Sequence, residues 1–148
     1  MMLSKNFSLN ELTKSQTALR LDINNNPNAD AIAALIELSV NILEPVRTRF
    51  DIPYTPSSGY RSEELCVAIG SKTTSQHALG EAADFEVPTI SNFTVAMWIK
   101  DNLVFDQLIL EHYTGGNSGW IHCSYTEKKK NRKEYLTYDK VNGYIKMT

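Results

Sequence analysis

The chain has 148 residues, of which 42% are hydrophobic and 22% charged, and its formal net charge is −2. This length suits one domain around one hydrophobic core, and no apolar run approaches the roughly 20 residues that a membrane-spanning helix needs. A charge so close to zero gives no general attraction to nucleic acid. The composition therefore predicts a soluble globular domain, expected as a monomer, with neither a nucleic-acid partner nor insertion into a membrane.

The N-terminal segment and the cysteine content both bear on the compartment. Residues Met1 to Leu12 contain no continuous apolar region of the kind found in secretory signal peptides, so we expect synthesis in the cytoplasm without export by that route. Cys66 and Cys123 are too few for a disulfide framework. We expect both thiols to be reduced and to serve as packing residues.

The first part of the chain is predicted to be helical. Ser8 and Glu11 match a capping box, which predicts a short helix, and a second short helix is expected over Gln16 to Leu21. Apolar residues recur every three to four positions from Asn28 to Phe50, which predicts the main amphipathic helix. Pro45 should kink this helix or end its regular part, because proline lacks the backbone donor and crowds the preceding turn.

A short strand around Ser57 to Tyr60 is expected to lead directly into Arg61. Ser62 then resembles an N-cap for a short helix that Gly70 ends. Small and hydroxylated residues dominate from Ser71 to Gly80, which favours a loop that carries His77 near its end.

The second half of the chain is predicted to form strands and one further helix. Alternation places Asp84 on the same strand face as Ala82, and His122 on the same face as Trp120 and Ser124. The expected elements are strands at Glu81–Val87, Asp106–Glu111 and Trp120–Tyr125, a helix at Asn92–Asn102, and a terminal hairpin formed by Tyr135–Tyr138 and Tyr144–Met147. Helices followed by strands, connected mainly through hairpins, predict a single α+β domain over residues 1–148, with N-terminal helices packed on a largely antiparallel sheet.

One basic cluster lies between two predicted strands and comprises Lys128, Lys129, Lys130, Arg132 and Lys133. We interpret it as the solvated tip of a hairpin. The alternative is attraction to an anionic polymer such as cell wall or nucleic acid.

Three residues have the chemistry of a metal site. His77 and His122 lie in short segments next to glycine and other small residues, and Asp84 follows His77 by seven positions, enough to pass from a loop into a strand. Two imidazoles and one carboxylate satisfy the protein ligands of a catalytic zinc site, which keeps one position open. Spacing alone leaves open that these are unrelated histidines and a structural aspartate, and the same ligands also suit iron, manganese or cobalt.

A resemblance connects these residues to other parts of the chain. The segment Ser75 to Asp84, the Trp120–His122–Ser124 segment and the preceding Gly59 to Ser62 together resemble the zinc peptidases of family M15, in its compact phage and bacterial branch. The similarity extends over nearly the whole chain. It implies the fold of D-alanyl-D-alanine carboxypeptidases and Hedgehog domains, with Zn2+ held by His77, Asp84 and His122.

The resemblance also implies roles for other residues. A zinc ion activates the water that attacks the peptide carbonyl, and a carboxylate takes its proton and delivers it to the leaving amine. Glu111 is the expected general base, with His112 as an alternative; some relatives carry this glutamate three residues before the last histidine, where this chain has Gly119. A thiol mechanism at Cys123 is not expected, because alternation places it on the opposite face from His122.

Four residues are expected to contact the substrate. Arg61 matches the family arginine near the substrate carbonyl or carboxylate, and its alternative is a salt bridge to Glu63 or Glu64. Ser75, Trp120 and Ser124 are expected at the cleft, although each could equally hold a loop or pack in the core.

The family resemblance implies zinc-dependent hydrolysis of peptidoglycan stem peptides, by a D-alanyl-D-alanine carboxypeptidase or an L-alanyl-D-glutamate endopeptidase. Without a signal peptide or a wall-binding domain, we expect an endolysin that reaches the cell wall after phage-type release. The alternative is a zinc-containing binding or structural module of the same fold without peptidase activity.

Overall fold

The computed structural model describes residues 1–147. Six α-helices and five strands follow one another in the order expected for an α+β protein: α1 Leu9–Thr13, α2 Gln16–Arg20, α3 Ala29–Leu38, α4 Glu44–Phe50, α5 Glu63–Ala68, β1 Ala82–Phe85, α6 Asn92–Asn102, β2 Gln107–Glu111, β3 Trp120–Ser124, β4 Glu134–Asp139 and β5 Gly143–Lys146. Within residues 1–147, no helix is both long enough and apolar enough to cross a bilayer.

The predicted capping box begins α1. The Ser8 side chain accepts from the backbone N–H of Glu11 at 3.1 Å, and the Glu11 carboxylate accepts from the backbone N–H of Ser8 at 2.7 Å. The two bonds satisfy amides that the first turn of a helix leaves without partners. Phe7 and Leu12 on either side are fully buried, so this short helix is fixed to the core.

The main predicted helix is interrupted before Pro45 rather than at it. Regular α-helix ends at Leu38, a π-helical turn spans Ser39–Leu43, and α4 then places Pro45 in its first turn. A proline is tolerated there because the first-turn amides have no partner within the helix. The π-helical turn therefore lies just before Pro45, where the proline has no backbone N–H to continue the α-helical hydrogen bonds.

The five strands form one sheet in the order β1–β3–β2–β4–β5. Three of the four pairings are antiparallel, as predicted, but β2 pairs with β4 in parallel. The loop between β3 and β4 must therefore cross past β2. The basic cluster lies in that crossover, so its interpretation as a hairpin tip was wrong.

Two other local predictions need correction. The segment from Ser57 to Tyr60 is not a full strand, because only Ser58 forms an isolated bridge, to Asp84. The predicted loop from Ser71 to Gly80 contains one turn of 3-10 helix at Gln76–Leu79, capped by the Ser75 side chain. Small residues permit this turn because the Ser75 hydroxyl accepts from the backbone N–H of His77 at 3.1 Å.

The sheet has one face on the core and one face on a cleft. Core-facing side chains include Phe85, Ile121, Cys123 and Leu108, all fully buried in the cluster that also contains residues of α3 and α6. Residues directly opposite one another on neighbouring strands share a face. Asp84, His122 and Ile109 are such partners, so the alternation that buries their neighbours directs them to the cleft side.

Candidate metal centre and active-site cleft

Three elements bring the predicted metal ligands together. His77 lies on the 3-10 helix, Asp84 on β1 and His122 on β3, where Asp84 and His122 are direct partners across the two strands. One ligand atom from each residue lies within 4.8 Å of the others. The group could therefore hold a metal ion.

The separations suit a tetrahedral zinc ion. Bonds of about 2.1 Å at tetrahedral angles place two ligand atoms about 3.4 Å apart. The Oδ1 atom of Asp84 lies 3.4 Å from Nε2 of His77 and 3.0 Å from Nδ1 of His122. The donor set and its spacing thus fit this metal.

The orientation of His77 is fixed by the backbone of Gly59. His77 is 3% exposed, and its Nδ1 lies 2.7 Å from the Gly59 carbonyl oxygen, which can only accept. The proton is therefore on Nδ1, and Nε2 presents its lone pair towards Asp84. Burial lowers the pKa of His77, which further favours the neutral imidazole that a metal requires.

Gly59 allows this close approach because it has no side chain. A Cβ atom at this position would overlap the carbonyl oxygen and a methyl carbon of Leu12. The neighbouring Tyr60 amide donates to the same Leu12 carbonyl at 2.7 Å. The N-terminal helix α1 thereby positions the segment that orients His77.

Asp84 is ionised despite its position in the interior. Burial is the largest single influence on its pKa and favours the neutral acid, but the hydrogen bond with His122 is the foremost of the interactions that outweigh it and hold the pKa of Asp84 well below its usual range. Its second oxygen, Oδ2, accepts from Nη2 of Arg61 at 3.0 Å. Both oxygens are therefore oriented by neighbouring side chains.

Arg61 has a different partner from the one proposed as its alternative. Among residues 1–147 it makes no salt bridge with Glu63 or Glu64, and its ion pair is with Asp84. Its Nε also donates to the Ser58 hydroxyl at 2.9 Å, and its backbone amide donates to the His77 carbonyl at 3.1 Å. Arg61 thus lies beside the three-residue group and lines the cleft.

Glu111 lies at the end of β2, directly opposite Trp120 on β3. Its Oε2 accepts from the indole N–H of Trp120 at 2.7 Å. Burial, and then the negative charge of Asp84, raise the pKa of Glu111, while His122 and the Trp120 bond act in the opposite direction. The charges of Asp84 and His122 therefore influence the pKa of the Glu111 carboxyl group. This group holds its proton more readily than an exposed glutamate.

Gly119 cannot be replaced by the glutamate that some relatives carry there. Its φ is +69°, and a Cβ atom would overlap the carbonyl oxygen of Glu111. The backbone of the β2–β3 loop therefore passes too close to β2 for any side chain. This geometry explains the glycine and leaves Glu111 as the carboxylate at this side of the cleft.

The cleft has a volume of about 750 Å³ and brings together most of the predicted site residues. Its walls include the three metal-ligand candidates together with Arg61, Ser75, Glu111 and Trp120. His112 is not among the lining residues; its ring packs against those of Trp120 and Tyr138, with centroids 5.0 Å and 5.4 Å away. The cleft thus contains Glu111 but not its predicted alternative.

Ser124 does not reach the cleft, so its predicted contact with substrate is not supported. It is fully buried, and its hydroxyl accepts from the backbone N–H of Gln107 at 3.0 Å. The bond joins β3 to β2. Ser124 therefore supports the sheet beside His122 rather than the substrate.

Nine further lining residues were missed by the sequence interpretation, and three of them, Gln76, Arg132 and Tyr144, come from different parts of the chain. Gln76 precedes His77 and could have been found from that position, whereas Arg132 and Tyr144 come from the crossover and the terminal hairpin and carry no local motif. Gln76 and Arg132 both donate to the buried Asp106, at 3.0 Å and 2.8 Å. This cluster ties the 3-10 helix to the crossover loop.

Both cysteines are buried and reduced. Cys123 faces the core, and complete burial raises the pKa of its thiol far above the ordinary value. A thiolate nucleophile is therefore excluded at this position, as alternation predicts.

Comparison with known proteins identifies the group to which this chain belongs. The sequence model of the family described as Peptidase M15 matches residues 5–124, which includes all three metal-ligand candidates, Arg61 and Glu111. The chain belongs to peptidase family M15. A search of curated proteins found no match. Membership of family M15 supports a metallopeptidase that acts on a peptide substrate. The match ends before β4 and β5.

Proposed function

We propose that this M15 protein is a zinc-dependent peptidase that hydrolyses the stem peptides of peptidoglycan, as a D-alanyl-D-alanine carboxypeptidase or an L-alanyl-D-glutamate endopeptidase. The observation that carries the proposal is the convergence of His77, Asp84 and His122 from three elements, beside Glu111 in one cleft. Family M15 enzymes generally depend on zinc. We further propose that the protein acts on the cell wall as an endolysin after phage-type release.

Each metal ligand would have its own support. His77 would bind through Nε2, since Nδ1 donates to Gly59, and Asp84 would bind through Oδ1, since Arg61 holds Oδ2. His122 would bind through Nδ1, which faces Asp84. A zinc ion held by these atoms would supply Lewis acidity at the scissile carbonyl and to the attacking water.

Glu111 would move the proton during hydrolysis. Within residues 1–147, Trp120 donates to Oε2 and no hydrogen bond engages Oε1, so Oε1 would accept a proton from the attacking water and return it to the leaving amine. A pKa raised by burial suits a group that must take up a proton and release it again in each cycle. The Trp120 bond fixes the carboxylate plane while this happens.

Arg61 would both orient Asp84 and contact the substrate. Within the described residues, Nε and Nη2 are engaged by Ser58 and Asp84, which leaves Nη1 to donate to a substrate carbonyl or carboxylate oxygen. Ser75, whose hydroxyl caps the turn that carries His77, and Trp120 would line the substrate's path.

Digestion of purified peptidoglycan tests the proposal. With zinc present, mass spectrometry should detect either released D-alanine or new stem-peptide termini, and the identity of the products distinguishes the two cleavage sites. If neither appears, the enzymatic proposal fails and the zinc-containing binding module remains.

Two variants test the assigned roles. Glu111→Ala should lower turnover at least about 100-fold, the usual scale for loss of general base catalysis, and should still bind zinc. His77→Ala should lose both activity and zinc, measured by elemental analysis of the purified protein. A Glu111→Ala variant with full activity would assign the base to another residue.

A further inference from the structure

The cleft continues past Glu111 along one row of side chains. Trp120 on β3, Glu111 on β2, Tyr138 on β4 and Tyr144 on β5 are direct partners across successive strands. Direct partners project from the same face of a sheet. The row therefore begins beside the metal-ligand candidates and ends on the edge strand, and Tyr144 lines the same cavity as His122.

Tyr144 presents an uncharged aromatic ring at the far end of this row. It is 63% exposed, yet its ring contacts that of Tyr138, with centroids 4.5 Å apart. Tyr138 in turn contacts His112, with centroids 5.4 Å apart. One side of the Tyr144 ring is thus supported by packing, and much of its surface remains open to a ligand.

The hairpin that carries Tyr144 is held by its own turn. The Asp139 carboxylate accepts from the backbone amides of Val141 and Asn142 at 2.8 Å and 2.7 Å. The Met147 amide also donates to the Tyr135 carbonyl at 2.7 Å, beyond the end of β5. Tyr144 is therefore placed before substrate arrives, which reduces the ordering cost of a contact.

The distance from β3 to β5 across the sheet limits which part of a bound substrate could contact Tyr144. Three strand spacings of about 4.8 Å separate β3 from β5, or about 14 Å in all. An extended peptide covers at most about 3.6 Å per residue, so this distance corresponds to about four residues. A dipeptide bound at the metal centre would not extend to Tyr144.

We propose that Tyr144 is a substrate-positioning residue that binds an uncharged apolar face of the substrate remote from the scissile bond. This inference rests on the proposed function. The apolar face of an aromatic ring stacks on a sugar ring or an aliphatic side chain alike, and both occur in a stem peptide that is joined to its glycan. Arg61 and Lys72 elsewhere on the cleft wall supply the charges that carboxylates require.

Binding to an inactive enzyme tests the contact without turnover. In a Glu111→Ala background, isothermal titration calorimetry would compare four probes: the dipeptides D-alanyl-D-alanine and L-alanyl-D-glutamate, a free stem pentapeptide, and the same pentapeptide joined to its disaccharide. Adding Tyr144→Ala should weaken binding of a long probe about tenfold and leave the dipeptides unchanged, since loss of one aromatic contact typically costs this much. Tyr144→Phe should retain the wild-type affinity.

A control on the same strand separates this role from support of the hairpin. Ile145 is 45% exposed and is adjacent to Tyr144, so it points to the opposite face of β5. Ile145→Ala should not change the affinity for any probe. In the active enzyme, Tyr144→Ala should raise KM for the long substrate and leave kcat unchanged.

The outcomes are distinct. Weakening with the free pentapeptide assigns the contact to the peptide, and weakening only with the disaccharide-linked probe assigns it to the sugar. Equal weakening for dipeptides, or no weakening for any probe that binds, overturns the inference. If the wild-type protein cleaves no peptidoglycan, the proposed function fails independently of Tyr144.

Discussion

Glu111, the proposed general base, has a carboxyl group whose pKa is adjusted by one hydrogen bond. Burial and the charge of Asp84 favour its protonated form, whereas Trp120 donates to its ionised form at 2.7 Å. Since a general base must be ionised to act, activity falls as pH decreases through its pKa. The acidic limb of the pH–rate profile should therefore lie above the range of an ordinary glutamate.

Replacing Trp120, which donates to Glu111, should shift the acidic limb of the pH–rate profile. Trp120→Phe removes a bond that lowers the pKa of Glu111, so the pKa rises and the acidic limb of kcat/KM should shift to higher pH. Activity should fall several-fold more at pH 5 than at pH 7.5. The measurement is kcat/KM against pH for the proposed peptidoglycan substrate.

Trp98 provides the matched control for this measurement. It lies on α6 and packs on Phe50, with ring centroids 6.0 Å apart, and it does not line the cleft. Trp98→Phe should leave the acidic limb in place. An equal shift in both variants, or a shift to lower pH in Trp120→Phe, would show that the indole does not tune Glu111.

At the level of elements, the short β2–β3 loop sets the geometry between Glu111 and Trp120. Asn92, at the start of α6, donates from Nδ2 to the carbonyl oxygens of Ser118 and Gly119, each at 3.0 Å. Gly119 then turns with positive φ against the end of β2. A helix and a glycine together determine where β3 begins.

Gly119→Ala should disturb both stability and activity. An alanine with φ near +69° is strained by about 1 kcal/mol, and overlap with the Glu111 carbonyl forces the loop to move in addition. We expect a loss of about 2–3 kcal/mol in the free energy of unfolding, measured by urea denaturation, together with reduced kcat.

A substitution at Gly116 separates the effect of backbone strain from the effect of atomic overlap. It also has positive φ, +54°, but a Cβ atom there would meet nothing within 4 Å. Gly116→Ala should cost only about 1 kcal/mol and leave kcat unchanged. Equal effects of the two substitutions would mean that the close approach at Gly119 has no consequence for the site.

For the molecule as a whole, local patterns predicted most elements but not all of their pairings. The capping box of α1, the helix Asn92–Asn102 and the alternation around His122 are determined by neighbouring residues, and the structure confirms them. The parallel pairing of β2 with β4 depends on a crossover whose route no local pattern records. For the same reason, Arg132 and Tyr144 at the cleft could not be predicted from sequence.

The same difference between local patterns and long-range contacts applies to the residues of the site. The three metal-ligand candidates could be named from residue type and resemblance, and the structure brings them together. The ion pair between Arg61 and Asp84 joins residues 23 positions apart, and the burial of Ser124 depends on its contact with Gln107 in β2. Such relationships arise from packing between distant segments, which a single sequence does not specify.

Because the metal-ligand candidates come from three separate elements, zinc binding should stabilise the whole fold. A ligand that binds only the native state adds about 2.7 kcal/mol at a free concentration 100 times its dissociation constant. For a domain of this size, that corresponds to a rise in Tm of about 5–11 °C, measurable by calorimetry with zinc and after removal of zinc with a chelator.

The control for zinc binding removes one ligand while retaining the fold around it. His122 is partly buried on β3, and His122→Ala should show the same Tm with and without zinc. Glu111→Ala, which alters no predicted ligand, should keep the full zinc-dependent rise. If wild-type protein binds one equivalent of zinc without any rise in Tm, the ion is bound outside the group that joins the 3-10 helix, β1 and β3.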